Sequence, residues 1–147
     1  MDAPYIRLGI NLLISAIVMY LAMFAMIDGF ADFYNNIDMA YMALMMVAPM
    51  GVLMLLIMPH MYKSLRANLI LYAGFTLIFL GAYAATRSQA LVGDAQFLRA
   101  MIPHHSGAIL MCREAAVTDP EIVALCGRIQ RSQREEIDEM KAILARY

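Results

Sequence analysis

The stretch MAYMALMMVAPMGVLMLLIM, residues 39–58, holds twenty residues and no Lys, Arg, Asp or Glu. A helix of about 20 apolar residues is long enough to cross the hydrocarbon core of a bilayer. Two further runs, 8–27 and 69–85, are equally free of charge, and the mean hydropathy of the chain is +0.65. The sequence therefore predicts three transmembrane helices within a membrane domain, residues 1–86.

The loops around these runs predict how the chain is oriented. Arg7 precedes the first helix, and Lys63 and Arg66 lie between the second and third, whereas the loop 28–38 carries only acidic side chains. Positive loops stay in the cytoplasm, so we expect a cytoplasmic N-terminus in a bacterial inner membrane. The first run is too long for a signal peptide, whose apolar core is about 7–15 residues, and is interpreted as retained.

Residues 87–147 differ sharply from the part before them, because they hold eight basic and eight acidic side chains. This balance gives no indication of nucleic-acid binding. Apolar residues recur every three or four positions, which predicts two helices, 94–117 and 120–146. Thr118 or Asp119 would cap the second helix, with Pro120 in its first turn. The fold class is thus all-α: three transmembrane helices and a periplasmic helical hairpin.

The two predicted hairpin helices each present one apolar face. The first face comprises Phe97, Met101, His104, Ala108, Met111 and Ala115, and the second is expected to bury Ile122, Leu125, Cys126, Ile129, Ile137, Met140 and Leu144. A lone hairpin of this size has little core. We therefore expect it to pair with another copy as a four-helix bundle or to pack against the membrane part, and a homo-oligomer follows from the first.

Cys112 and Cys126 fall at the same height if the hairpin turns near Asp119. A disulfide is then feasible in an oxidising compartment, provided the Cα atoms approach within about 7 Å. Metal binding by one or both thiols, and simple burial of free thiols, are the alternatives. The sequence leaves all three open.

The stretch MIPHHSGAILMC, residues 101–112, concentrates metal-ligand types in one helix. His104 and His105 are adjacent, Met101 and Met111 lie on either side of them, and Pro103 deprives the Arg99 carbonyl of its helical partner and predicts a kink. Thioether and imidazole together favour copper, Cu(I) more than Cu(II), and suit zinc less. The alternative interpretation is that these side chains only pack.

Other chemistries find little support in the sequence. It contains neither E-x-x-H for a carboxylate di-iron bundle nor H-E-x-x-H for a zinc hydrolase. Catalysis by a pair such as Cys112 and His105 would lack an oxyanion hole and a substrate cleft. We therefore expect a binding protein that is not an enzyme.

Eight of the fifteen methionines fall between residues 39 and 61, most of them on one helical face. Methionine fills irregular gaps well, so packing explains such a face. The alternative is a sulfur relay for Cu(I) in a transporter or channel. Its residues would be Met42, Met46, Met50, Met54, Met58 and His60.

The run FLRAMIPHHSGAILM, 97–111, followed by QRSQREEIDEM, 130–140, resembles the domain of unknown function 305 family. The hallmark segments are Met-Ile-Pro-His-His at 101–105 and Gln-x-x-Glu-Ile-x-x-Met at 133–140. The resemblance implies a ferritin-like helical bundle, in this chain a membrane-anchored branch, with a link to copper binding and tolerance. The family often has Gln where Ser106 stands, which weakens any role for that position.

The resemblance implies a copper site on the periplasmic hairpin, used for sequestration, tolerance or hand-over to copper-handling proteins. The implied ligands are Met101, His104, His105, Met111 and Met140, while Cys112 and Cys126 stay open as further ligands. Gln133 and Glu136 would orient an imidazole from behind. A module that only drives oligomerisation, without metal, is the competing hypothesis.

Overall fold

The computed structural model describes residues 3–147, and the fold throughout that range is helical with no strand. The five α-helices are α1 (Ala3–Ala22), α2 (Ile37–Ile57), α3 (Leu65–Ser88), α4 (Asp94–Glu114) and α5 (Pro120–Leu144). Two 3-10 turns, Met23–Met26 and Phe30–Asp32, lie between α1 and α2. The predicted all-α fold is confirmed.

The chain forms two compact units. The first, which we call the apolar unit, comprises residues 3–22 and Asp38–Ala90. The second, the hairpin unit, comprises Met23–Ile37 and Leu91–Tyr147. The segment between α1 and α2, which the sequence assigned to the membrane domain, therefore folds with the C-terminal helices.

Three helices are long and apolar enough to cross a membrane, over Ala3–Met26, Ile37–Ile57 and Leu65–Ser88. They are apolar on all sides and mostly uncovered within the structure, a pattern typical of helices that contact lipid. Buried contacts inside the apolar unit come from Leu8, Leu12, Val47, Leu55 and Tyr62. A Cβ at Gly51 would lie 2.6 Å from the Phe75 ring, so the absent side chain lets α2 and α3 approach closely.

In the hairpin unit, α4 and α5 run antiparallel and enclose Ile102, Ile109 and Ile137. The turn between the helices follows the predicted capping. The Asp119 carboxylate accepts hydrogen bonds from the backbone N–H groups of Glu121 and Ile122, and Pro120 starts the helix. Asp119, rather than Thr118, is thus the cap.

Burial along α5 differs from the prediction at its beginning. Ile137 is fully buried, but Ile122 and Leu125 are 45% and 46% exposed, so the prediction that both are buried is wrong. One reason is the length of α4, which ends at Glu114 rather than near residue 117. Because Cys126 is joined to Cys112 near that end, the first turn of α5, which contains Ile122, extends beyond α4.

Candidate functional site

One face of α4 packs, and a strip of uncharged side chains lies on the opposite face. The buried residues of α4 are Leu98, Ile102, Pro103, Ser106, Gly107 and Ile109. The residues on the opposite face, which we call the α4 strip, are Phe97, Met101, His104, Ala108 and Met111. Met101 and Ala108 are half-buried, whereas Phe97 is 50% and Met111 59% exposed. The face predicted from residue spacing therefore points away from the core of its own unit.

Two neighbours cover the remainder of α4. On one side, α5 contacts His105 and is joined to Cys112. On the other side lies the segment Met23–Ile37: a Cβ at Gly107 would sit 3.3 Å from the Met26 carbonyl oxygen. These contacts account for the buried face of α4, and the α4 strip lies on the other face.

Pro103 lies inside an α4 that stays helical from Asp94 to Glu114. The Arg99 carbonyl, which proline deprives of its helical donor, accepts a hydrogen bond from Asn36 Nδ2 at 3.5 Å. Asn36 Nδ2 also donates to the Tyr34 carbonyl at 3.0 Å. The segment between α1 and α2 thereby supplies the donor that the proline removes.

His105 is held between its own helix and α5. Nδ1 lies 2.9 Å from the Met101 carbonyl oxygen, and Nε2 lies 2.8 Å from Glu136 Oε2. Both ring nitrogens face acceptors, so both contacts are hydrogen bonds only when the ring carries two protons. The pKa of Glu136 is lowered, first by the Ser132 hydroxyl that donates to it at 2.8 Å and then by His105. A metal at His105 would have to displace one of these partners.

His104 has the opposite environment. Its side chain is exposed, its ring centroid lies 6.4 Å from that of His105, and no hydrogen bond from the described chain engages it. Of the two adjacent histidines, His104 alone offers both ring nitrogens to a ligand. It lies in the middle of the α4 strip, with Met101 one turn before and Met111 two turns after it.

The other predicted site residues on α5 lie elsewhere. Met140 is half-buried and packs against the cluster of Ile102, Ile109 and Ile137. Glu136 contacts His105, the role expected of a residue that orients an imidazole, and Gln133 is half-buried one turn before it. Within one copy of the chain, the structure therefore has Met101, His104 and Met111 on one helix face, whereas Met140 packs against the core of the hairpin.

Cys112 and Cys126 form a disulfide with Cα atoms 5.1 Å apart. The sequence left open a disulfide, metal binding by the thiols, or burial of free thiols, and the structure contains the disulfide. A disulfide offers no thiolate, and thiolate is the form in which cysteine binds metal. In this state the two cysteines fasten α4 to α5 beside the strip and are not its ligands.

The predicted relay residues lie along α2 in the apolar unit. Met50 and Met54 pack against the buried cluster around Leu55, and Met54 Sδ accepts from Asn11 Nδ2 at 3.5 Å. Met42, Met46 and Met58 are about 40% exposed, and His60 is exposed in the turn after α2. Part of this methionine face is therefore helix packing.

A buried ionic network, which the sequence did not predict, lies on the side of α4 opposite the strip. Ser106 is completely buried, accepts from the Asp28 backbone N–H at 2.7 Å, and donates to Asp32 Oδ2 at 2.7 Å. Lys141 Nζ donates to Asp32 Oδ1 at 2.6 Å, and Arg134 reaches Asp28 at 2.7 Å. The serine thus joins α4, the segment between α1 and α2, and α5.

The charges of this network compensate one another. Burial raises the pKa of the Asp32 carboxyl, but hydrogen bonds from Lys141 and Ser106 and the nearby charges of Lys141 and Arg134 outweigh it, so the pKa lies below 3.8. Arg113 binds Asp28 from the end of α4. The acids that served as topology markers in the sequence are therefore structural partners of the hairpin.

A sequence signal for this network was present. Asp28 and Asp32 are one helical turn apart in a loop without bases, and Arg134 and Lys141 lie seven residues apart on one face of α5. Because partners separated by about a hundred residues leave no local periodicity, only their matching signs could have suggested the contact. No sequence pattern indicated a role for Ser106, and the frequent Gln at this position in the family argued against one.

The side chains of the α4 strip limit which metal ions could bind there. Between Ala3 and Tyr147, no three His, Cys, Asp or Glu side chains converge as a metal site. The strip instead offers one imidazole and two thioethers, from His104, Met101 and Met111. Soft donors of this kind fit Cu(I) and do not fit hard cations.

The family model described as a domain of unknown function (DUF305) matches residues 83–145. Uncharacterized protein L153 of Acanthamoeba polyphaga mimivirus is 36% identical over 119 residues, which cover 80% of this chain and 76% of that protein. This alignment is nearly twice as long as the family match, so the similarity extends into the apolar half. No solved structure matches the chain. By these similarities, the chain belongs to the DUF305 family.

Proposed function

We propose that this protein is a membrane-anchored copper-binding protein that holds Cu(I) on the α4 strip for sequestration, tolerance or hand-over. His104 is the central ligand, and Met101, one turn before it, adds thioether sulfur. Met111 lies two turns after His104 on the same strip. His105, held by Glu136, flanks the site and becomes a ligand only if it leaves its present partners.

The observation that carries the proposal is the exposure of the strip. Packing was the competing explanation for these side chains, and packing residues are expected to be buried. His104 and Met111 are exposed on a helix whose opposite face provides the core contacts. Core packing within the hairpin unit therefore does not account for them, whereas ligand binding does.

The chemistry of the donors favours copper among the metals. Thioether is a soft ligand that stabilises Cu(I), and imidazole suits copper as well as zinc. Zinc sites use thiolate, imidazole and carboxylate ligands. Cys112 and Cys126 are paired with each other, and the α4 strip offers thioether beside its imidazole. The membership in the DUF305 family is consistent with this choice because the resemblance implied a link to copper.

The anchoring part of the proposal rests on the three apolar helices. Arg7, Lys63 and Arg66 lie in the segments expected in the cytoplasm. One crossing then brings the segment Met23–Ile37 to the other side, and three crossings bring the hairpin there. We place the protein in the bacterial inner membrane with the hairpin unit in the periplasm. The disulfide fits an oxidising compartment.

The test is a Cu(I) titration of the full chain in detergent against a competing chromophoric chelator. We expect the His104→Ala, His105→Ala double variant to lose more than the roughly 10–100-fold in affinity that removing a ligand's hydrogen-bond partner costs. His60→Ala is the matched control, because His60 is also exposed but lies in the turn after α2.

Equal Cu(I) affinity in the wild-type chain and the double variant would contradict the proposal and favour an oligomerisation module without metal. A loss of Cu(I) affinity in His60→Ala alone would instead favour a copper site on the methionine face of α2. Circular dichroism of each variant checks that the helices are retained.

A further inference from the structure

The α4 strip of a single chain is poor in ligands. His105 is engaged at both nitrogens, Met140 packs against the core of the hairpin, and the cysteines are crosslinked. What remains is one imidazole and two thioethers on one helix face. A Cu(I) ion at His104 therefore has few ligands from its own chain.

The residue order of the strip is symmetric about His104. Phe97 lies seven residues before it and Met111 seven after, or about 10 Å to either side along the helix. Met101 lies three residues before it and Ala108 four after. If a second α4 lies antiparallel across a two-fold axis at His104, each Phe97 faces a Met111 and each Met101 faces an Ala108.

This arrangement matches the requirements of an interface between identical copies. Every contact in a two-fold interface occurs twice, so the surface must complement itself. The large Met101 opposite the small Ala108 lets side chains interdigitate, and the strip contains no charged side chain that would repel its copy. No other partner is needed to explain an uncharged, self-complementary strip of this kind.

We propose that two copies of the chain pair antiparallel along the α4 strip and share one Cu(I) between their two His104 side chains, with Met101 of both copies beside it. This inference rests on the proposed function, which it deepens by making the second copy a source of ligands. The partner is a second copy of this chain.

The dimensions of the strip also predict that pairing depends on the metal. Stable dimers bury about 800 Å² on each partner, and a strip one side chain wide along four turns of helix is smaller than that. The contact between apolar side chains therefore aligns the two helices, and the shared metal completes the association. Removing Cu(I) separates the strips.

The test uses the full chain in detergent and a substitution that keeps every ligand. Ala108→Glu places a carboxylate opposite Met101 of the second copy but leaves His104, Met101 and Met111 in place. Ala142→Glu is the matched control, since Ala142 is an exposed alanine of α5 far from the strip. The readouts are Cu(I) per chain, Cu(I) affinity and the particle mass with and without the metal.

We expect one Cu(I) per two chains, a doubling of the protein mass on Cu(I) addition, and loss of both in Ala108→Glu but not in Ala142→Glu. One tightly bound Cu(I) per chain with no effect of Ala108→Glu would overturn the shared site and leave the proposed function standing. Absence of any His104-dependent Cu(I) uptake would overturn both.

Discussion

At the scale of single residues, Ser106 links two segments of the hairpin unit through buried hydrogen bonds. Its hydroxyl accepts from the Asp28 backbone and donates to Asp32, and no part of the residue is exposed. A buried polar group that loses its partner costs more than the hydrogen bond itself contributes. Ser106 therefore determines how firmly the segment between α1 and α2 is attached to α4.

We predict that Ser106→Ala destabilises the hairpin unit by about 1–3 kcal/mol, because it leaves the Asp28 N–H and one Asp32 oxygen without this partner. Hydrogen–deuterium exchange should accelerate in residues 23–37 and at the centre of α4, where opening becomes easier. Mass spectrometry of the full chain in detergent measures this exchange.

Ser88→Ala serves as the control, since Ser88 is an exposed serine that donates only to carbonyls of its own helix α3. Its effect should stay within about 0.5 kcal/mol. Unchanged exchange in Ser106→Ala would mean that Lys141 and Arg134 alone hold Asp32 in place.

At the scale of elements, the α4–α5 hairpin is a small structure held at several points. Its apolar core is limited to Ile102, Ile109 and Ile137 with a few flanking side chains. The disulfide fastens the helices near the turn, the His105–Glu136 contact lies further along, and Tyr147 donates to Asp94 at the open end. None of these contacts involves a side chain of the α4 strip.

The disulfide should contribute substantially to this hairpin. It closes a loop with a sequence separation of 14 residues, for which restriction of the unfolded chain gives about 3 kcal/mol. We predict that the Cys112→Ala, Cys126→Ala double variant unfolds at a lower denaturant concentration, as measured by circular dichroism of the full chain.

Alkylation provides the independent check of the crosslink. No thiol of the protein exported to an oxidising compartment should react before reduction, and two should react after it. Two reactive thiols in the unreduced protein would contradict the crosslink and reopen metal binding by Cys112 and Cys126.

At the scale of the whole molecule, the arrangement of charges predicts the orientation of the chain. Lys63 and Arg66 lie between α2 and α3, whereas Asp28 and Asp32 lie between α1 and α2 in the part of the chain that folds with the hairpin unit. Positively charged loops remain in the cytoplasm. The proposed periplasmic position of the copper-binding strip depends on this orientation.

We predict that a reporter enzyme active only outside the cytoplasm is active when fused after Tyr147 and inactive when inserted beside Lys63. A reporter active only in the cytoplasm should give the reverse pattern at both positions. Activity of the second reporter after Tyr147 would reverse the orientation and place the α4 strip in the cytoplasm.

Local patterns made much of this molecule predictable. Uninterrupted apolar runs over 8–27, 39–58 and 69–85 correspond to α1, α2 and α3, and the spacing of apolar residues in 94–146 corresponds to α4 and α5. The Asp119 cap could also be predicted, because a cap binds backbone groups only two or three residues away. Helix formation depends on neighbours three or four residues apart, and a single sequence displays those neighbours directly.

The sequence by itself determined the all-α fold, the three apolar helices, and the common face of Met101, His104 and Met111. Only the tertiary structure decided that this face is exposed, that Cys112 pairs with Cys126, and that Ser106 and Asp32 join residues 23–37 to the hairpin. The reason is physical: periodicity shows which residues share a helix face. Which neighbour covers that face depends on contacts between segments far apart in the chain, and these leave no local pattern.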